Sequence, residues 1–431
     1  MKLLYTTVAS ILLSCSANAT EPLALTTSWD RVFGGRLLDQ FNDVIPTQDG
    51  GNISVGTVYT ADSGEDVGGD VDMEQVKGRT DGVIVKYDAL GNIEWQKIYG
   101  GSGEDYFDEV EQLIDGSYVT IGRSDSYDGD LDNDNLDQKD TGVVVGFDIE
   151  GNILWSANDY SSVNGYSHQQ VSATADGGFA VAGVNYSNES VIFLKKYDAD
   201  RNIEWEVNYP RDQIFNLESM IATNDGGFAL SGSVFLENWD GVLLKTDAAG
   251  AVVWEYRHAP LSTDEFFEVI QTSEGDFVVT GVEGATTSFP DIPHVPFAVK
   301  VDMNGNQVWR TDLLFDGYPL KDYYGETYTS IVELPSGGFA LAGTIYSNFV
   351  DPDEDLGISD GLLTILDKDG TEQSQQIFGG VFWDRFESVA QATDGNLLVS
   401  GATEGTSGDI TDTINGDRDG LLVKFDLPAS L

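Results

Sequence analysis

Short apolar runs, most of them four to eight residues long, recur along the whole chain, each bounded by Gly, Asp, Asn or Ser. "VIVK" at Val83–Lys86, "FAVAG" at Phe179–Gly183, "FALAG" at Phe339–Gly343 and "LLVK" at Leu421–Lys424 are examples. β-branched and apolar residues between turn formers predict short strands joined by tight connections. The runs are not independent of one another. A turn residue stands at Asp49, Asp115, Asp176, Asp225, Glu274, Ser336 and Asp394, and a glycine follows each of them seven residues later, at Gly56, Gly122, Gly183, Gly232, Gly281, Gly343 and Gly401. Eight residues before each turn stand Phe41, Phe107, His168, Leu217, Phe266, Tyr328 and Phe386.

Two further columns complete the unit. Asp88, Asp148, Asp198, Asp247, Asp302 and Asp367 each precede by three residues a Gly, or Arg201 in the third copy. An Asp closing one strand and a residue able to take positive φ suit a tight hairpin. Beyond it lies Trp95, Trp155, Trp205, Trp254 or Trp309, a column that lapses in the sixth copy. Seven repeats of four strands predict an all-β fold, a seven-bladed β-propeller of four-stranded blades. The chain ends on a third strand, "DGLLVKFD", and begins its repeats with a fourth, "SWDRVFGG" at Ser28–Gly35. The N-terminal strand is therefore expected to complete the last blade and close the ring, which removes a free edge.

The stretch "VIVKYDALGNIEWQK" resembles the tryptophan-docking repeat of quinoprotein-like propellers, a group that includes outer-membrane assembly lipoproteins without a cofactor. The fuller pattern, with "YGGSGEDYF" and "SYDGDL", is similar to propeller repeats of secreted and surface proteins of marine bacteria. The resemblance spans residues 28–426 and implies the fold. It names no activity, and no cofactor-site motif of a quinone-dependent dehydrogenase carries over.

Charge narrows the partners. Asp and Glu number 73 against 22 Lys and Arg, for a net charge of −51, which repels nucleic acid and anionic membranes. Met1–Ala19 has one Lys, an apolar run and the small-residue site Ala17-Asn18-Ala19, the form of a secretory signal peptide. Residues 20–431 then form a single propeller domain. Leu12-Leu13-Ser14-Cys15 also resembles a lipoprotein box, which offers the alternative of a lipid anchor through Cys15, the sole cysteine. Either processing implies export to an extracellular or periplasmic location. No segment reads as a transmembrane span, and a chain that closes its own ring is expected to be a monomer.

By chain geometry the fourth-to-first and second-to-third connections share one face, called the upper face below. Long acidic loops fall there: Asp62–Asp72, Asp125–Asp140, Asp351–Asp355 and Asp409–Asp419. Alternating carboxylates at Asp128, Asp130, Asp132 and Asp134, and at Asp351, Asp353 and Asp355, suit Ca²⁺, although neither run matches an EF-hand loop. Solvated acidic loops are the other reading of the same residues. A second candidate is the column two residues before the aromatic one, with Asp39, Asp105, Asp264, Glu326 and Asp384 at the start of the inner strand. These carboxylates either ring the mouth of the central channel or accept hydrogen bonds from their own loops. Aromatics gather on this face too, among them Tyr106, Phe215, Phe267, Phe382 and Trp383.

His168 sits in a column of Phe, Tyr and Leu and is expected to be buried. His258 and His294 have no evident partner, and no catalytic residue can be nominated from spacing. The expected role is a binding or scaffold module for a protein or polysaccharide on the upper face. A carbohydrate-active enzyme, lyase or glycosidase, is the alternative.

Overall fold

The computed structural model describes residues 25–60, 69–126, 128–130, 141–158, 166–185, 191–259, 263–284, 295–314, 323–347 and 359–428. These residues form seven four-stranded antiparallel sheets, six of them running outward in chain order. The first blade comprises β2 (Gln40–Pro46), β3 (Asn52–Tyr59), β4 (Thr80–Tyr87) and β5 (Ile93–Tyr99). The first strands of the next five blades are β6 (Asp105–Gln112), β10 (Tyr166–Ala173), β14 (Asn216–Ala222), β18 (Asp264–Gln271) and β22 (Tyr323–Glu333). The seventh blade comprises β26 (Asp384–Gln391), β27 (Leu397–Thr403), β28 (Asp419–Asp426) and β1 (Thr26–Phe33). Each first strand touches those of its two neighbours, so the seven close into a ring around an axis.

Closure occurs as the strand pattern implies. β1 pairs antiparallel with β28 from Thr26↔Asp426 to Phe33↔Gly420, so the two ends of the chain share the last sheet. The core lies between blades. Phe41, Phe107, Phe266, Tyr328 and Phe386 are wholly buried, and His168 and Leu217 nearly so, each wedged against the neighbouring blade. Burial of a side chain of this size contributes about 2 kcal/mol.

The lower turns repeat closely. All seven first hairpins place a glycine at positive φ, from Gly50 (91°) to Gly395 (88°). In the third-to-fourth turns Arg201 takes the same conformation at φ 69°, which explains why it can stand in a glycine column. Each indole of the Trp column lies on the equivalent turn of the following blade: a Cβ at Gly250 would be 3.0 Å from Trp205, and one at Gly305 3.1 Å from Trp254. At the third blade the guanidinium of Arg201 covers Trp155, 5.1 Å from the ring.

The missing sixth Trp has a topological cause. The blade that follows has no third-to-fourth hairpin, because β28 and β1 reach it from opposite ends of the chain. Ser374 stands where the indole would be, and buried Leu25 lies alongside, its backbone N–H donating to Gln376 Oε1 at 3.1 Å.

Candidate functional site: the axial cavity

A break in the strand pattern builds the axis. In every first strand the pairing register shifts just after the aromatic column, between Phe41 and Asp43, Phe107 and Glu109, His168 and Gln170, and at the equivalent places in the other blades. A β-bulge puts an extra residue on one strand and re-aims the side chains around it. Successive positions after the column then line the axis in place of alternate ones. They line a solvent-open cavity of about 180 Å³, bordered by Asn42, Asp43, Asp108, Glu109, Gln169, Gln170, Glu218, Ser219, Glu268, Thr329, Ser330, Glu387 and Ser388. Such a volume holds on the order of ten water molecules. Six of the lining residues are carboxylic acids, drawn from five blades, and none is Lys, Arg or His.

The second residue after the column ties each blade to the next. The inner edge of a first strand has no strand to pair with, so its amides need other acceptors. Val110 N–H donates to Asp43 Oδ2 (3.1 Å), Val171 N–H to Glu109 Oε2 (2.6 Å) and Met220 N–H to Gln170 Oε1 (3.2 Å). Val269 N–H donates to Ser219 Oγ (3.3 Å), Ile331 N–H to Glu268 Oε2 and Val389 N–H to Ser330 Oγ (2.9 Å). Ser388 Oγ donates to Asp43 Oδ1 (2.8 Å) and completes a girdle through all seven blades.

Burial and mutual repulsion hold these acids in their protonated form to unusually high pH. Burial pushes Glu268 and Glu111 up to about 8, assisted by the charge of Asp43, and Glu218 up to about 7, assisted by Glu265. Burial raises Asp108 to about 6. Glu109 is raised well above the usual carboxylate range, first by burial and then by Asp43. Around neutrality the cavity therefore contains both carboxylic acids and carboxylates. It can exchange protons or attract cations, and it disfavours anions.

The carboxylates singled out from the sequence lie elsewhere. Asp39, Asp105, Asp264 and Asp384 are at most 1% exposed, and none lines the axial cavity. Asp39 accepts from Gly35 N–H (2.5 Å) and Tyr59 N–H (2.7 Å), Asp105 from Gly101 N–H (2.8 Å) and Asp384 from Gly380 N–H (2.7 Å). Burial raises Asp39 to about 7 and Asp384 to about 6. The side chain of Glu326 is outside the described residues. Of the two acidic loop runs, Asp128 accepts from Ser102 N–H (2.6 Å) and Asp130 pairs with Lys77. Asp132, Asp134, Asp351, Asp353 and Asp355 are outside the described residues.

The histidines are also placed. His168 is 2% exposed and meets Phe193 edge to face. His258, Asp264 and Glu283 bring one ligand atom each within 4.8 Å of the others. Arg310 fills that cluster with its own charge, 2.8 Å from His258 Nε2 and 2.5 Å from Glu283, so it is an ion-pair network at a blade junction. Sequence reasoning also passed over Phe235 and Trp239, which form an upper-face cluster with Phe215 (ring centroids 5.2 and 5.1 Å apart). Arg211 lies 4.6 Å over the Phe215 ring.

No family model and no curated protein matches the chain. Solved structures do. The chain is similar to a streptogramin B lyase structure at 9% identity, with TM-score 0.51 over 92% of this chain and 98% of that one. It is also similar to the Kuenenia stuttgartiensis hydrazine synthase at 11% identity, with TM-score 0.53 over 86% and 94%. BamB from Moraxella catarrhalis matches at 13% identity, with TM-score 0.42 over 94% and 100%. At such identities the likeness concerns the propeller fold alone, the architecture that the tryptophan repeat implied.

Proposed function

We propose that the chain is an exported propeller scaffold that binds a protein or polysaccharide ligand on its upper face, with Ca²⁺ held in the acidic loops there. One observation carries the reading. The three aromatic side chains more than a third exposed among the described residues, Phe235 (52%), Phe382 (54%) and Trp383 (39%), all stand on the upper face. The lower turns expose aliphatic side chains instead, such as Leu90 and Ile114. Exposed rings beside carboxylates stack on sugar rings or clasp peptides at little entropic cost.

The test is binding to a panel of polysaccharides and of proteins from the cell envelope, followed by heat denaturation and by direct titration. Phe235→Ala and Trp383→Ala should each weaken the captured ligand about tenfold, the loss of one well-packed aromatic contact. Unchanged affinity in both would reject the upper face. Chelator should lower the melting temperature if Ca²⁺ occupies the loops, and an identical melt removes the metal from the proposal. The mature N-terminus, read by mass spectrometry, separates cleavage after Ala19 from a lipidated Cys15.

A second reading, a carbohydrate-active enzyme, draws on a different observation. Glu268 and Glu218 keep protons near neutral pH, as a general acid must. Release of reducing or unsaturated ends from any glycan in the panel would favour it over a pure scaffold.

A further inference from the structure

At three blade junctions two buried aspartates meet. One stands at the start of a third strand and the other at the start of the next blade's first strand: Asp419 with Asp39, Asp81 with Asp105, and Asp360 with Asp384. All six are at most 3% exposed. A glycine lies between the two side chains in each case. A Cβ at Gly34 would overlap Asp419 Oδ1 and stand 2.7 Å from Asp39 Oδ2, and one at Gly100 would overlap Asp81 Oδ1 and stand 2.7 Å from Asp105 Oδ2. At Gly379 the corresponding distances are 2.5 Å to Asp360 Oδ1 and 2.8 Å to Asp384 Oδ2.

The acids come as pairs along the repeats. Where the third strand has Thr141, Val191 or Val295 instead of Asp, the next first strand has Tyr166, Phe215 or Glu326, and the glycine gives way to Tyr160, Pro210 or Leu314. At the remaining junction Asp240 and Asp264 recur with Ala259 in the glycine's place, and there the chain brings positive charge of its own. Asp264 lies with His258 and Glu283, and Arg310 is 2.8 Å from His258 Nε2.

Hydrogen bonding distinguishes the two members. Asp39 accepts a backbone N–H on each oxygen, and Asp105 accepts Gly101 N–H and the hydroxyls of Ser124 and Ser126, as carboxylates do. Asp419 accepts Asn415 N–H (2.5 Å) and Gly416 N–H (3.3 Å) on Oδ2 alone, while its Oδ1 is sealed from solvent and accepts from no described residue. Asp81 likewise turns Oδ2 to Lys77 N–H (3.0 Å) and Gly78 N–H (3.1 Å), which leaves Oδ1 a long contact of 3.3 Å to Gly78 N–H. A buried oxygen set against a carboxylate is satisfied when it carries a proton and donates it. The surrounding charges act in the same direction. Asp70 faces Asp419, Asp125 faces Asp105, and Glu404 and Asp409 face Asp384, whereas Lys77 acts on Asp81 but pairs with Asp130, and Arg418 pairs with Glu404.

We propose that one proton shared by the two aspartates latches each of these three junctions and makes the upper connections sensitive to pH. Burial raises Asp39 to about 7 and Asp419 and Asp81 to about 6, as a retained proton requires. Loss of the proton leaves two buried charges facing each other. The connections held in this way also carry the neighbouring loops: Asp70 N–H donates to Gly34 O, Asp130 N–H to Gly100 O and Asp409 N–H to Gly379 O, each at 3.0 Å. The last of these connections presents the exposed Phe382 and Trp383.

The test is thermal unfolding of the full, metal-stripped chain at about pH 5 and about pH 8. A raised folded pKa gives stability at low pH that is lost as pH rises through it, so the wild type should melt lower at pH 8. Asp419→Asn keeps a carbonyl oxygen on the two amides and aims an NH₂ group at Asp39, a donor that no rise in pH removes. It should melt within about 1 °C of the wild type at pH 5 and on the order of 2 °C or more above it at pH 8. Asp39→Asn must set its NH₂ group against a backbone N–H whichever way it turns, so it should melt below the wild type at both pH values. Glu150→Gln/Asp200→Asn, on the lower turns, controls for lost negative charge and should leave the difference between the two pH values unchanged. Four results would overturn the proposal: no gain in Asp419→Asn at pH 8, the same gain in the lower-turn control, equal melts in Asp39→Asn and Asp419→Asn, or a rise with Ca²⁺ at pH 8 that Asp419→Asn abolishes. The last would put a metal ion, and not a proton, between the aspartates.

Discussion

A lysine buried in the third strand shows how a single residue couples strand to turn. Lys86, Lys196, Lys245, Lys300 and Lys424 are 3–8% exposed. Each reaches the acidic turn of its own blade: Lys86 to Asp49 (3.0 Å), Lys196 to Asp176 (2.9 Å), Lys245 to Asp225 (2.9 Å), Lys300 to Asp276 (3.2 Å) and Lys424 to Asp394 (2.6 Å). The sixth blade lacks both partners, with Ser336 at the turn and Ile365 in the strand. In the second blade Gly146 leaves that space to the indole of Trp155, and Asp115 turns to Ser117. Burial works against ionisation of Asp225, but hydrogen bonds from Thr223, Lys245 and Gly227 outweigh it and hold the acid at about 2. Asp225→Ala should cost about 2 kcal/mol in urea unfolding, because it strands a buried ammonium, although the exposed acid moderates the loss. Lys245→Met should cost less, about 1 kcal/mol, since it removes the charge that needed a partner. A larger loss in Lys245→Met than in Asp225→Ala would contradict this account.

At the scale of the element, the docking of a Trp on the next blade's turn makes each hairpin part of a junction. Gly250 has φ 78°, and a Cβ there would meet Trp205 and Val207 at 3.0 Å. Gly116 has φ 88° with nothing within 4 Å of an added Cβ. Gly116→Ala should therefore cost only the backbone strain, about 1 kcal/mol. Gly250→Ala should cost about 2 kcal/mol or more, because the turn must also back away from the indole. Equal losses, measured by thermal unfolding, would mean that the docking surface yields freely. Arg201 is the natural control, a residue that tolerates the strain while covering Trp155.

For the whole molecule, stability depends on closing the ring and on its buried acids. Removing residues 25–33 exposes the edge of β28 and strips Val32 and Phe33 from the core. Melting of that truncated chain at the full-length temperature would disprove closure by β1; a large drop, or aggregation through the open edge, is the expected outcome. The pH dependence has a definite sign. Acids whose folded pKa is raised stabilise the fold fully below their unfolded values, and that contribution is lost as pH rises through the folded ones. With unfolded values near 4, folded values of about 6 for Asp108, Asp81, Asp384 and Asp419, about 7 for Asp39 and Glu218, and about 8 for Glu111 and Glu268 place the window between about pH 4 and pH 8. Without added cations the melting temperature should fall across that range, and salt should recover part of it by screening a net charge of −51. A melting temperature that rises from pH 5 to 8 would show that these buried acids ionise without cost.

The seven-fold repeat, the four strands per blade and the closing role of β1 were legible in the sequence because each rests on local chemistry. Turn residues recur at fixed spacing, and the N-terminal "SWDRVFGG" carries the fourth-strand pattern that the last repeat lacks. The buried place of His168 followed from its column in the same way. What surrounds the axis was not legible, because it depends on a bulge that strand alternation does not announce. One extra residue in each first strand turned Asp43, Glu109 and Glu268 inward and made them acceptors for the next blade's amides. The lapse of the Trp column at Ser374 had no reason in the sequence; β28 and β1 leave no hairpin there for an indole to cover. The strands of this protein follow from its sequence one blade at a time; its cavity arises only when seven blades meet, because the lining is drawn from the first strand of every one of them.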